Sequence, residues 1–365
     1  MVLLGLGLAA GTVLLVRALL LREGPWSRSS PCRRCGCWGV RRVPSVAARR
    51  VVEPCLHPGR HPSGHPADRA YRRLGVTYLL LAVPIALGAL LGRSNLRGSP
   101  RPALVCLLAL LLGGGGWSAW SLSRTADPAE SLTVGLAALR QPEDGLPIDE
   151  PSGRDLLARY AARVAGLAAR GARIVVLPEK VFAVTDTTLP VLVDALRQTE
   201  AQVVVGAVLR EAGTASNVAL VLYPDGTVTT YRKQHLIPGL EEWLTPGDHE
   251  VIVDGRFGVA ICKDLDYPEL VRRNRAQGAS VLLVPALDFT ADGWLHSRMA
   301  LVRGVENGLV VVRAAAFGRL TVTDPSGRVL GEATAGDAEL LLTPAVTTGG
   351  ARSIRVPGIG FRCCP

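Results

Sequence analysis

The stretch Phe257–Leu270 (FGVAICKDLDYPEL) decides how the rest of the chain is read. Phe257–Ile261 is apolar with two β-branched residues, as in a short buried strand. A cysteine follows at once, and Pro268 stands where it can open a helix. Two other segments share this design. Glu179 lies just past the apolar run Ile174–Leu177 and Pro178, and Lys233 follows a strand that ends at Arg232. In layered α/β folds, side chains just beyond strand C-termini converge on one rim, where ligand sites form.

Outward from these points the pattern alternates. Strands are predicted at Leu132–Leu139, Arg173–Leu177, Gln202–Leu209, Val218–Tyr223, Thr227–Arg232, Phe257–Ile261, Ser280–Val284, Val310–Ala314, Leu320–Thr323 and Arg328–Glu332. Helices are predicted at Arg154–Arg170, Leu189–Glu200, Pro268–Gln277 and Trp294–Glu306. Hairpins mixed with strand–helix alternation indicate an α/β layered domain with mixed sheets.

A thiol at such a rim can attack a carbonyl if a base takes its proton and donors stabilise the oxyanion. Glu179 supplies a carboxylate; Lys233 and the N–H after Cys262 supply donors. A lysine packed between them is expected to lower the thiol pKa. Taken singly, each residue has a plainer reading: a core cysteine, a charge at a helix start, a solvated lysine. Their order and the wording around them change that.

The segments Ile174–Phe182 (IVVLPEKVF), Tyr231–Glu241 (YRKQHLIPGLE) and Phe257–Leu270 resemble the nitrilase, or carbon-nitrogen hydrolase, superfamily. Gly278–Asp288 (GASVLLVPALD), Trp294–Gly308 (WLHSRMALVRGVENG) and Val311–Leu330 continue the resemblance, which is marked toward the apolipoprotein N-acyltransferases. It implies an α/β fold, a four-layer α-β-β-α sandwich preceded by transmembrane helices. By the same resemblance Glu179 is the general base, Lys233 the transition-state stabiliser and Cys262 the nucleophile. Glu241 matches the family's second glutamate, with Glu242 as the fallback. The implied reaction moves a fatty acyl group from membrane phospholipid, through a cysteine thioester, to the amine of a lipoprotein N-terminus. A hydrolase with the same triad would pass the acyl part of a small amide to water. Lys263-Asp264 after the nucleophile reads closer to the hydrolases. Neither reaction calls for a cofactor.

The rest of the chain is read from composition. Val2–Leu21, Val76–Gly92 and Ala103–Leu122 each approach the roughly 20 apolar residues that cross a bilayer. Between the first two, residues 22–75 hold twelve Arg against Glu23, Glu53 and Asp68, nearly all of the chain's formal charge of +10. Charge confined beside apolar spans points to membrane orientation or anionic lipid, so no nucleic-acid partner is expected. Cys32, Cys35, Cys37 and Cys55 lie in this Arg/Pro-rich stretch with His57, His61 and His65. Their spacing matches no zinc pattern, and no metal is expected. His296 is expected to be a core or helix-surface histidine. Arg303, Glu306 and Asn307 are expected to form an intrahelical polar group.

The expected organisation is one span at 1–21, a disordered linker at 22–75 and two spans at 76–122. A catalytic domain follows at 131–342, with an irregular tail at 343–365. A multi-pass protein of the bacterial inner membrane follows, its catalytic domain placed outside the cytoplasm by the resemblance alone. The two basic loops, 22–75 and Arg93–Arg101, pull the orientation in opposite directions.

Overall fold

The computed structural model describes residues 130–346 except Gln198, together with Val105, Leu108, Ala109 and Leu112–Gly116, which are helical. The expected spans, the basic linker and most of the tail lie outside the described residues. Among the described residues, no helix is long and apolar enough to cross a membrane.

The elements run, in order, β1 (Glu130–Ser131), β2 (Val134–Ala138), β3 (Leu146–Pro147), α1 (Pro151–Ala169), β4 (Ile174–Val176), β5 (Phe182–Thr185), α2 (Leu189–Leu196), β6 (Gln202–Glu211), β7 (Thr214–Leu222) and β8 (Val228–Arg232). Then come β9 (Ile252–Val253), β10 (Phe257–Val259), a 3₁₀ turn at Cys262–Asp266, α3 (Pro268–Ala276), β11 (Val281–Ala286) and α4 (Gly293–Asn307). The described chain ends with β12 (Val310–Ala315), β13 (Arg319–Thr323), β14 (Val329–Thr334), β15 (Ala338–Leu342) and β16 (Ala345–Val346).

Alternating side chains sort these elements into layers. From β2, β4, β6 and β7, the side chains of Leu136, Val176, Val204 and Val221 pack against Val259, Leu283, Val312 and Val322 of the second sheet. Their neighbours Ala137, Val175, Val205 and Leu220 face the other way and pack on Leu156, Tyr160, Val164 and Leu167 of α1. On the far side, Leu282, Val284 and Val311 pack on Leu270 and Val271 of α3 and Ala300 of α4. Helices, sheet, sheet and helices therefore form four layers, as the resemblance implies. Both faces of each sheet are covered, so the central strands read as continuous apolar runs rather than alternating ones.

Local chemistry sets the helix limits. Pro151 and Pro268 occupy first-turn positions, where a missing N–H costs nothing. α4 ends at Gly308, whose φ of +65° suits the left-handed cap. α2 stops at Leu196, earlier than the expected Glu200, because Ala201 is already buried at the entry to β6. β5 was not anticipated as a strand. Its alternating buried and half-buried residues complete the first sheet beside β6. β1 and β16 pair antiparallel as a separate two-stranded sheet.

β6 organises the site. One edge pairs along its length with β7, while the other pairs first with β4 and then with β5. Between those two partners the chain leaves the ladder as Leu177–Val181, carrying Glu179. Gly206 N donates to Pro178 O at 2.9 Å, and Val181 N to Gly206 O at 2.9 Å. A Cβ on Gly206 would stand 2.4 Å from Glu179 Cα and 2.5 Å from Pro178 O. Both obstacles are backbone, so Gly206→Ala must push the Glu179 loop outward. The expected outcome is a loss of about 1–3 kcal/mol in stability, seen in urea melts. Turnover should fall further than that loss explains, at temperatures where the variant remains folded.

Candidate active site

Glu179, Lys233 and Cys262 meet at one rim, where β4, β8 and β10 end. Each is held by its backbone. Glu179 N donates to Ala286 O of the opposite sheet at 3.1 Å, and Gln141 Nε2 donates to Glu179 O at 3.2 Å. Lys233 N donates to Asn217 O at 2.8 Å. Cys262 has a φ of +41°, a region that non-glycine residues seldom occupy and that concentrates at functional sites. Lys180, next to Glu179 in the chain, and Asp288, against Cys262, also have positive φ, at +49° and +61°.

The side chains form two polar walls. On the first, Lys233 Nζ donates to Glu179 Oε1 at 2.7 Å and to Glu241 Oε2 at 2.8 Å. All three side chains are essentially inaccessible to solvent. Asn217 Nδ2 bridges the same carboxylates, 2.7 Å from Glu179 Oε1 and 2.9 Å from Glu241 Oε1. Glu241 Oε2 also accepts from Ile237 N at 2.9 Å. The neighbouring Glu242 is exposed and accepts from Gly239 N, so the fallback position stays outside the cluster. Lys180 Nζ lies 3.9 Å from Glu241 Oε1 and supplies the second positive charge for two buried carboxylates. Glu179 Oε2 is buried without a hydrogen-bond partner, leaving one carboxylate oxygen uncommitted.

On the second wall, Arg313 grips Asp288 with both guanidinium nitrogens, Nη1 lying 2.8 Å from Oδ2. Cys262 Sγ is 3.9 Å from Asp288 Oδ1, and His296 Nδ1 is 3.2 Å from that same oxygen. The two walls enclose a pocket of about 160 Å³ whose lining includes Glu179, Glu241, Cys262, Asp288, His296 and Arg313.

The nucleophile turn is anchored from below. Buried Asp264 accepts Ile261 N at 3.0 Å, Tyr231 OH at 2.7 Å and His235 N at 2.9 Å. One carboxylate thus ties the cysteine turn to both sides of Lys233. Arg303 Nε donates to Leu265 O at 2.6 Å and its Nη1 to Glu306 at 3.0 Å. The expected intrahelical group is therefore also a clamp on the turn after Cys262.

Lys233 does lower the Cys262 pKa, as expected, but larger contributions outweigh it. Burial pushes the Cys262 thiol up to about 12, and the Glu179 charge adds to the rise. Lys233 and Arg313 oppose it but do not prevail. The site therefore holds a neutral thiol at pH 7, and an acceptor must take its proton as it attacks. Burial would discharge Lys233, but Glu179, the thiol and Glu241 together keep its pKa above the ordinary lysine value. Burial likewise raises the Glu241 carboxyl, yet Lys233 and the bonds from Ile237 N and Asn217 leave it below the usual range.

Sequence reasoning placed all four of Glu179, Lys233, Cys262 and Glu241, and the structure brings them together. It missed Asn217, Asp264, Asp288 and Arg313. His296 is not a core or surface histidine but part of the pocket wall. Asn217 and Arg313 did leave a signal, each a lone polar residue inside an otherwise apolar strand (SNVALVL and LVVVRAAA).

Residues 136–356 match the carbon-nitrogen hydrolase family. An (R)-stereoselective amidase from a Pseudomonas species is 32% identical over 160 residues, 40% of this chain and 58% of that one. The omega-amidase NIT3 of Saccharomyces cerevisiae is 32% identical over 145 residues, 33% of this chain and 50% of its own. An apolipoprotein N-acyltransferase of Gloeobacter violaceus is 28% identical over 296 residues, 70% of this chain and 54% of its own. The chain thus spans about half the length of these curated relatives. Among solved structures, yeast Nit3, of the nitrilase superfamily, superposes with a TM-score of 0.51 at 22% identity, over 60% of this chain and 92% of that one. With the fold, the match over most of the catalytic region and these relatives in agreement, the chain belongs to the carbon-nitrogen hydrolase family of the nitrilase superfamily and is an enzyme with a cysteine nucleophile.

Proposed function

We propose that the protein is a membrane-anchored N-acyltransferase that takes a fatty acyl group from phospholipid onto Cys262 and passes it to an amine. Glu179 accepts the thiol proton through its uncommitted oxygen as sulfur attacks the ester carbonyl. The Lys233 ammonium and the Lys263 N–H stabilise the oxyanion. The C–O bond breaks, and the departing alcohol leaves with the proton from Glu179. Glu241 and Asn217 hold Lys233 and Glu179 in register. Amine attack on the thioester then forms the amide and returns a proton to sulfur.

The observation that carries this reading is the exposed apolar character of the segments that line the pocket. Leu240, Trp243, Tyr267, Phe289, Trp294 and Leu295 are all exposed, by 41% to 57%, and each lines the pocket or lies within two residues of a residue that does. Exposed large apolar groups on the segments that form a site suit a lipid-borne substrate better than a small soluble amide. The three apolar stretches ahead of the domain and the long match to the Gloeobacter acyltransferase support the same choice. The second reading, a carbon-nitrogen hydrolase of small amides, draws on the higher identity of the amidase relatives.

The test is intact mass of the detergent-purified full chain after incubation with phosphatidylethanolamine vesicles. A hydroxylamine-sensitive acyl adduct on the wild type, absent from Cys262→Ala, is the expected result. No adduct from lipid, with turnover of small amides instead, would overturn the transferase in favour of the hydrolase.

A further inference from the structure

His296 and Asp292, on the pocket's second wall, are given no role in the acyl-loading step. Asp288, 4% exposed, is clamped by Arg313 and accepts from His296 Nδ1, which fixes the imidazole tautomer. With its proton on Nδ1, His296 presents the lone pair of Nε2. That nitrogen lies 3.9 Å from Asp292 Oδ2, and the other oxygen, Asp292 Oδ1, is buried without a hydrogen-bond partner. Asp292 is at the N-cap of α4 yet makes no side-chain cap bond.

From this geometry we infer that His296 is a second proton acceptor that admits an amine, in its ammonium form, as the acyl acceptor. The inference rests on the thioester reading of the same pocket. Water attacking a thioester loses one proton, which Glu179 can take and return to sulfur. An ammonium ion must lose two. The first leaves before the nitrogen has a lone pair; the second leaves as the C–N bond forms and the C–S bond breaks. Glu179 carries the second to Cys262, restoring the thiol. His296 Nε2 takes the first and releases it to solvent, toward which its side chain is 29% exposed. No oxidant, reductant or further reactant is needed.

The surrounding charges favour this use. Facing His296 are Asp288 and Asp292 from the loop before α4 and its first turn, Lys263 and Asp266 from the cysteine turn, and Arg313 from β12. Glu179 and Glu241 face it across the pocket. Lys263 is paired with Asp266 at 3.3 Å and Arg313 with Asp288. Asp292 is left to balance either an incoming ammonium or the imidazolium that forms.

The experiment loads the full-length protein in detergent with p-nitrophenyl butyrate, which acylates a competent cysteine whatever its natural donor. Decay of the thioester is then followed by mass in water alone and with glycine methyl ester, for wild type and His296→Gln. Transfer is read as its ratio to hydrolysis of the same thioester, so that any general effect of the substitution on the pocket is divided out. In the variant, transfer to the amine should fall about tenfold at pH 7, where roughly a tenth of an amine with the ordinary α-amino value of roughly 8 is already uncharged, and recover at about pH 9. Unchanged transfer at pH 7 overturns the inference. So does a loss that persists at pH 9 or that extends equally to hydrolysis. Because loading uses an activated ester, failure of the phospholipid donor would sink the transferase reading without touching this result.

Discussion

Lys233→Met is expected to unfold part of the population and to abolish turnover. The lysine is fully buried between two carboxylates, and removing one partner of such a cluster leaves uncompensated charge, at a cost of roughly 3–5 kcal/mol. Methionine fills much of the space, so the loss reports charge rather than a cavity. The pH dependence separates this from simple misfolding. In the wild type, Glu241 has a folded pKa below its ordinary value, so its contribution is present above the usual carboxylate range and is lost as pH falls through the folded value. Without Lys233, burial prevails and the folded pKa moves above the ordinary value of about 4.3. The sign then reverses: the variant is least penalised in acid, and its deficit grows as pH rises. Urea melts of both proteins in detergent from pH 5 to pH 8 should therefore diverge toward pH 8. Parallel curves would show that Lys233 is not the counter-charge of the site.

Glu179→Gln is the second large effect, and it acts on rate rather than folding. The amide retains an oxygen to accept from Lys233 and Asn217, as Glu179 Oε1 does at 2.7 Å from each. What disappears is the uncommitted oxygen that can take a proton. Acylation should fall by about 10²- to 10⁴-fold, measured as the rate of thioester appearance at pH 7. The Glu179 charge is also the second cause, after burial, of the thiol's rise to about 12, so the substitution should bring that value down. Alkaline pH should therefore restore more of the rate to the variant than to the wild type. A rate loss that no pH relieves would place Glu179 among the structural residues instead of the bases.

These effects differ because the site has two kinds of residue. Glu179, Lys233 and Cys262 stand at strand ends, where a polar residue after an apolar run is visible in one dimension. Glu241 was visible only through its resemblance to a family pattern. In space it is defined by Lys233 Nζ and Ile237 N, which together single it out from Glu242 beside it. Asn217, Asp264, Asp288 and Arg313 were not identified, although two of them interrupt apolar strands. Their roles arise between elements far apart in the chain: Asn217 lies 38 residues from Glu179, and Arg313 25 from Asp288.

The amino-acid sequence by itself determined the alternation of strands and helices that marks a layered α/β domain, since buried strands stand out as apolar runs and the helices between them declare themselves by proline and glycine at their ends. It also determined which strand ends carry a carboxylate, a lysine and a thiol. Only the tertiary structure decided the state of that thiol. Burial and a neighbouring carboxylate outweigh Lys233 and Arg313, and that balance depends on distances across two sheets. It likewise decided that His296 belongs to the pocket, because a histidine on a helix acquires direction only from what the helix packs against. Here that is Asp288, held in place by an arginine from β12, the next strand in the chain.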